Sequence, residues 1–307
     1  MSFPLPTSPA CGGGVGALPA RSDNETDMPV ANTPTDTPPI VVVLGSGRSG
    51  TSLLMQVLAA LGMRVSEELI AARRDNPQGF FEDARIVRAH ANLMRSLDVW
   101  PYHPLPAGWL DAPATAAAAR KLRGVLRDRL SRGSDGANPW GFKDPRTASF
   151  LPLWQRLFAE EGVTPRYVLA LREPDSILQS FMDAYQTPLE TAERVWLQRT
   201  CDALWQTRAD CHIVHYEDWF SRGREVLEGL ARFTGLDARL GEAGGVALLE
   251  TLVRPDLNRS SGSDCDLRNP AARALQSALG ACRGDTFDRD ALLRCVAACR
   301  SRLAGPG

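Results

Sequence analysis

IVVVLGSGRSGTSLLMQVLAALG, residues 40–62, joins an apolar run to an amphipathic one through a glycine-rich turn. Ile40 to Leu44 are unbroken, largely β-branched and apolar, the composition of a strand buried on both faces of a parallel sheet. It reads as the first, central strand. Beyond the turn, Leu53, Leu54, Val57, Leu58 and Leu61 recur at helical spacing, and Gly62 stands where a C-terminal cap belongs. Gly45, Gly47 and Gly50 permit close backbone approach, so the unpaired N–H groups and the positive dipole end of the helix can converge on one anion. The pattern predicts a cradle for a phosphate or phosphosulfate. A ligand-free turn would not need Arg48 and the hydroxyls of Ser46, Ser49, Thr51 and Ser52 in the same eight residues.

The loop nearly matches the nucleotide motif GxxxxGK[ST], but Thr51 occupies the lysine position and the cation sits inside the loop as Arg48. That departure argues against an ordinary ATPase or GTPase. Outward from the loop, residues 1–38 are rich in Pro, Ser, Thr, Gly and Asp without periodicity, which predicts a disordered tail. Nothing in residues 39–307 reads as a linker, so one domain is expected there. No apolar run has bilayer length, and the N-terminus lacks a basic start followed by a hydrophobic core, which predicts a cytoplasmic protein. A formal net charge of −1 gives no global pull toward nucleic acid or acidic membranes, so an anion site must be built locally. The 7 cysteines are odd in number and without paired CxxC spacing, so reduced, mostly buried thiols are expected rather than a metal site.

Of 35 basic residues only Lys121 and Lys143 are lysines. Lys121 falls on an Arg-rich helical face within residues 113–132, read as a long surface helix without chemistry of its own. Lys143 lies in Asn138-Pro-Trp-Gly-Phe-Lys-Asp-Pro-Arg-Thr147, where a short strand would bury Trp140 and Phe142 and deliver Lys143 and Asp144 at its carboxyl end. Asp144 reads equally as a helix cap with Pro145 at the first helical position. A second buried strand, Tyr167 to Leu171, ends on Arg172, and Pro174 opens a helix that carries Ser180 two turns in. Arg172 and Ser180 are spaced to clamp one phosphate, with a surface salt bridge as the alternative for Arg172. Residues 188–207 read as a helix packed through Trp196, Leu197, Leu204 and Trp205, and Cys211 to Tyr216 as the last strand. In Asn76-Pro-Gln-Gly-Phe-Phe-Glu-Asp83, Glu82 and Asp83 fall near the start of a helix; complementing its dipole and doing chemistry are even alternatives for Glu82. A polar loop at 254–262 and a terminal amphipathic helix around 287–302 complete the chain, with no internal repeat and no dehydrogenase fingerprint.

Three of these pieces, in this order, resemble sulfotransferases that use 3′-phosphoadenosine 5′-phosphosulfate (PAPS): Gly45-Ser-Gly-Arg-Ser-Gly-Thr-Ser52, Arg172-x7-Ser180 and Val214-His-Tyr-Glu-Asp218. The resemblance spans roughly residues 40–235 and implies an α/β, P-loop-like three-layer fold with a central parallel sheet flanked by helices. It implies that Gly47, Arg48, Ser49, Gly50, Thr51 and Ser52 hold the 5′-phosphosulfate, Arg172 and Ser180 the 3′-phosphate, and that Tyr216 borders the adenine. Lys143 falls where cytosolic members have the lysine of Lys-Thr-His, but Asp144 and Pro145 replace the other two residues, so their catalytic histidine is absent. Tyrosylprotein and heparan sulfotransferases use a glutamate downstream of the loop, and Glu82-Asp-Ala-Arg-Ile-Val87 is similar to the former, which makes Glu82 the expected base. The Arg-Lys-Gly element of cytosolic members is missing, leaving Arg259 as a substitute 3′-phosphate contact. The expected activity is metal-independent transfer of a sulfuryl group from PAPS to a hydroxyl, with Glu82, Lys143 and Arg48 catalytic and Asp83→Asn a mild control. The acceptor, a sugar, phenol, lipid or peptide, would be shaped by residues 63–137 and 240–307. The rival readings are a magnesium-dependent small-molecule kinase and a non-catalytic nucleotide-binding module.

Overall fold

Strand β1 (Ile40–Leu44) is an inner strand of a four-stranded sheet in the order β2-β1-β3-β4, with β2 at Trp140–Lys143, β3 at Pro165–Leu171 and β4 at His212–His215. Every pairing is parallel. All five β1 residues are buried because both faces of the sheet are covered: Ile40, Val42 and Leu44 join one core, Val41 and Val43 the other. The period-two alternation is therefore present but invisible in the composition of the strand.

The structure is a computed structural model that describes residues 40–72, 79–100, 103–132, 138–237, 240–243, 245–254 and 266–303. The N-terminal tail, Asn76 to Gln78, Tyr102, Arg259 and most of the loop around it, and Cys11 and Cys265 lie outside these residues. Along the chain the helices are α1 (Thr51–Ala60), α2 (Ala84–Ser96), α3 (Pro113–Ser131), α4 (Thr147–Glu160), α5 (Pro174–Tyr185), α6 (Leu189–Gln206), α7 (Asp218–Ser221), α8 (Gly223–Thr234), α9 (Leu240–Ala243), α10 (Gly245–Leu252), α11 (Pro270–Leu279) and α12 (Arg289–Leu303). Helices α1, α8 and α10 cover one face of the sheet through residues such as Leu54, Leu58, Leu230 and Leu249. The larger core on the other face gathers α2 to α6, α11 and α12 around Phe142, Phe150, Trp154 and Trp196. This is the expected three-layer α/β architecture.

Register fixes what the strand ends can reach. Val43 lies beside Lys143 and beside Val168, so β2 delivers Lys143 level with the end of β1, while β3 runs two residues beyond its last partner on β1. Trp140 and Phe142 enter the core as expected and stack with centroids 5.1 Å apart. Two expectations need correction. Helix α3 is not only a surface helix: Leu122, Val125 and Leu126 are buried against α2, and so is Arg129, because a 19-residue helix with apolar positions three and four apart has an inner face however many arginines cover the outer one. Trp205 is 43 % exposed rather than packed in the core, with the guanidinium of Arg300 over its ring. Among the described residues no helix is long and apolar enough to cross a membrane.

Candidate active site

The loop between β1 and α1 needs its glycines. At Gly45 (φ +145°) a Cβ would sit 2.7 Å from the carbonyl oxygen of Ala170 on β3, and at Gly50 (φ +83°) 2.5 Å from Cδ2 of Tyr216. Both distances are too short for a side chain. Arg48 itself adopts φ 74°, held there by a loop in which the backbone N–H and the hydroxyl of Ser49 both donate to the carbonyl oxygen of Ser46, at 3.3 and 2.7 Å. No side chain caps α1, so its first N–H groups remain for a ligand. The buried hydroxyl of Ser46 has no hydrogen-bond partner among the described residues. An uncapped helix start, a cradle that a Cβ would fill and an orphaned hydroxyl fit an anionic group such as a phosphosulfate.

Arg48, Arg172, Ser180 and Tyr216 come from four elements and meet beside this loop. The Arg48 Nε–H donates to Ser180 Oγ at 2.9 Å, and Arg172 Nη1 donates to the Arg48 carbonyl oxygen at 3.3 Å. The Arg172 guanidinium lies 4.6 Å from the centroid of the Tyr216 ring, which also packs against Gly50. Pro174 occupies the first turn of α5 as expected. The Arg48 side chain points at Ser180, so the loop arginine, Arg172 and Ser180 form one cationic group. Ser52 faces elsewhere, donating to the carbonyl oxygen of Phe80 at 3.3 Å and tying α1 to the segment that carries Glu82.

Glu82 and Asp83 part company. Asp83, not Glu82, is the N-cap of α2, accepting from the N–H groups of Arg85 and Ile86. Its other oxygen accepts from Nε and Nη2 of the buried Arg129, which also reaches Ser66. Asp83→Asn, expected to be mild for turnover, is not mild for stability, since the carboxylate is buried opposite a buried guanidinium. Glu82 precedes the cap and turns the other way, where its Oε1 accepts from Lys143 Nζ at 2.7 Å. Its backbone is pinned by the Ile70 N–H on its carbonyl oxygen, and neither side chain of the ion pair is more than 12 % exposed. Dipole complementation is thus the work of Asp83, and Glu82 is committed to the lysine at the end of β2.

Asp144 is no cap. Helix α4 begins at Thr147 with no side-chain cap, and Asp144 is fully buried between Arg146, which donates to it from its backbone N–H, Nε and Nη2, and His90, whose Nδ1 lies 2.9 Å from Oδ2. Trp154 can only donate, and its Nε1–H reaches His90 Nε2 at 3.0 Å, so His90 is neutral with its proton on Nδ1. Burial lowers the pKa of His90 further than the Asp144 hydrogen bond raises it. For Asp144 burial acts upward, but the Arg146 charge and the His90 contact win and hold the carboxyl far below the usual carboxylate range. A carboxylate this stabilised is not a base. Its effect is to fix Arg146 in the lining of a small pocket between α2, α4 and α6.

The structure thus brings Gly47, Arg48, Ser49, Gly50, Thr51, Arg172, Ser180 and Tyr216 to one loop, and Glu82 and Lys143 to each other. Sequence reading missed Arg129, His90, Arg146 and Arg199. Arg146 lay inside a quoted motif beside Asp144, but Arg199 sits unmarked in mid-helix, and only the fold shows its Nη1 3.8 Å from where a Cβ of Gly47 would be. Of the cysteines, Cys201, Cys211, Cys282 and Cys299 are buried free thiols, as expected, and Cys295 is partly exposed.

The model of the sulfotransferase family matches residues 39–239. Among solved structures, the sulfotransferase domain from the Synechococcus PCC 7002 olefin synthase is 18 % identical, with a TM-score of 0.44 over 88 % of this chain and 96 % of that one. The sulfotransferase domain from the curacin biosynthetic pathway is 15 % identical, with a TM-score of 0.43 over 87 % and 98 %. No curated protein sequence matches.

Proposed function

The chain belongs to the sulfotransferase family, and from that premise we propose that it moves a sulfuryl group from PAPS to a hydroxyl of an acceptor. The observation that carries this reading is the buried ion pair of Glu82 and Lys143 at 2.7 Å, set at the end of β2 level with the glycine loop that follows β1. Bound at the loop, PAPS supplies the sulfuryl group; the protein supplies position and charge. The uncapped start of α1, the Thr51 hydroxyl and, once they turn from the carbonyls of Ser46 and Phe80, the hydroxyls of Ser49 and Ser52 would hold the 5′-phosphosulfate, Arg172 and Ser180 the 3′-phosphate, and Tyr216 would border the adenine. Sulfuryl transfer resembles phosphoryl transfer in that charge spreads over peripheral oxygens and catalysis is mostly orientation and electrostatic stabilisation. Lys143 and Arg48 would carry that charge without a divalent ion. Glu82, oriented by Lys143 through Oε1, would take the acceptor proton at its other oxygen.

The test is to offer radiolabelled PAPS with a panel of phenols, glycans and peptides, in EDTA, and to look for labelled product. Transfer to at least one hydroxyl acceptor supports the proposal. Labelled phosphate transfer from ATP that requires magnesium would replace it with a kinase.

A further inference from the structure

Resting on the sulfuryl-transfer reading, we propose that Phe81 is a positioning residue: its left-handed backbone, anchored by its ring on the core that α1 covers, holds Glu82 on Lys143. The φ of Phe81 is 55°. Positive φ is uncommon for any residue with a side chain and an outlier for a bulky one. Gly79, two residues earlier, takes φ +89° without steric cost, whereas a phenylalanine in that region must be held there by its surroundings.

The surroundings do hold it. Phe81 packs against the core that contains Val41, Val43 and the inner face of α1. Glu82 meets buried Lys143 at 2.7 Å, and Asp83 meets buried Arg129 at 3.0 Å. Three consecutive side chains thus turn toward the interior. In an extended strand successive side chains point to opposite faces, so residues 81 and 82 could not both do so, and the positive φ at Phe81 is what breaks the alternation. On the carbonyl side, Glu82 is tied by hydrogen bonds: the Ile70 N–H donates to its oxygen, the Ala84 N–H donates to the Glu68 oxygen, and Leu69 bridges Asp83 antiparallel. On the amide side it is set by the Phe81 turn, and the ring anchors that turn. Without the ring, residue 81 relaxes toward negative φ, which swings the peptide between 81 and 82 and draws the carboxylate away from Lys143 Nζ.

Lys121 and Lys143 are the only lysines, so acylation with N-hydroxysuccinimide acetate, read by mass spectrometry, reports the ion pair with exposed Lys121 as internal reference. Lys143, 3 % exposed and bonded to Glu82, should be labelled slowly in the unsubstituted protein. Phe81→Ala should label it at least about 10-fold faster relative to Lys121, the size of one charge-assisted hydrogen bond, and Phe81→Leu, which keeps an apolar anchor, should protect it again. Phe81→Gly lacks the anchor but takes positive φ without strain, so it should expose Lys143 as well and replaces Phe81→Ala if that variant does not fold. Single-turnover transfer from radiolabelled PAPS, to the hydroxyl compound labelled most strongly in the panel above, should slow by about 10- to 100-fold in Phe81→Ala, with affinity for adenosine 3′,5′-bisphosphate unchanged. In a Glu82→Gln background the same substitution should slow transfer no further, whereas a merely structural residue would slow both backgrounds alike. Unchanged labelling of Lys143 in Phe81→Ala and Phe81→Gly, or equal slowing in the two backgrounds, would overturn the proposal. Release of Lys143 in a protein that transfers no sulfuryl group would keep the role of Phe81 in placing Glu82 and discard sulfuryl transfer, whereas full-rate transfer by Phe81→Ala would do the reverse.

Discussion

Glu82 and Asp83 are adjacent acids with opposite fates, and substitution separates them. Glu82→Gln keeps size and shape but cannot accept a proton, so single-turnover sulfuryl transfer should slow by about 10²- to 10⁴-fold. Affinity for adenosine 3′,5′-bisphosphate should be preserved; unchanged turnover would remove Glu82 as the base. Asp83→Asn retains a capping oxygen but leaves the buried Arg129 with only the partly exposed Asp128 as counter-charge, so urea unfolding should report a loss of about 1–3 kcal/mol. A loss under about 0.5 kcal/mol, the ordinary size for an innocuous surface change, would contradict that assignment. The difference between the two residues was not legible in the chain. Both stand next to a helix start, and which of them caps is decided by where Arg129 and Lys143 arrive, from α3 and β2, each dozens of residues downstream.

The loop is the element whose chemistry is most nearly local, which is why it was readable. Strand, glycines, hydroxyls and amphipathic helix follow in order, and the parallel register then aligns the carboxyl ends of β2 and β3 with it. Gly50 shows how tightly the element is built. Gly50→Ala would combine an unfavourable φ of +83° with a Cβ 2.5 Å from Tyr216, so the loop must shift. The variant should retain its far-ultraviolet circular dichroism and lose at least about 10-fold in bisphosphate affinity, since the shift alone costs a kcal/mol or more. Wild-type affinity would mean that the close packing of Tyr216 on the loop has no bearing on the ligand. The pocket between α2, α4 and α6 was illegible for the converse reason. Met94, Arg146 and Arg199 belong to or adjoin three different helices, and nothing in the pattern of α6 distinguishes Arg199 from the other arginines that dominate the basic residues. The His90–Asp144–Trp154 network was hidden in the same way, because a histidine on an apolar helix face carries no mark of its partners.

For the whole molecule, burial lowers the pKa of His90, His212 and His215 from the ordinary 6.5. The unfolded chain then binds protons that the folded chain refuses, so stability is complete above about pH 6.5 and falls as the pH drops through and below it. Asp144 acts in the opposite sense, staying charged in the fold well below its ordinary value and keeping its contribution into strong acid. Thermal unfolding should therefore be nearly flat from pH 8 to 7 and shift downward between pH 6.5 and 5; a midpoint that rises on acidification would contradict neutral buried histidines. The sulfotransferase reading itself is tested most directly by calorimetric titration with adenosine 3′,5′-bisphosphate in EDTA, beside ATP with magnesium. The predicted result is one-to-one binding of the bisphosphate without metal, weakened about 10- to 100-fold by Arg172→Ala, with ATP and magnesium bound more weakly. Tight binding of ATP with magnesium and none of the bisphosphate would contradict it.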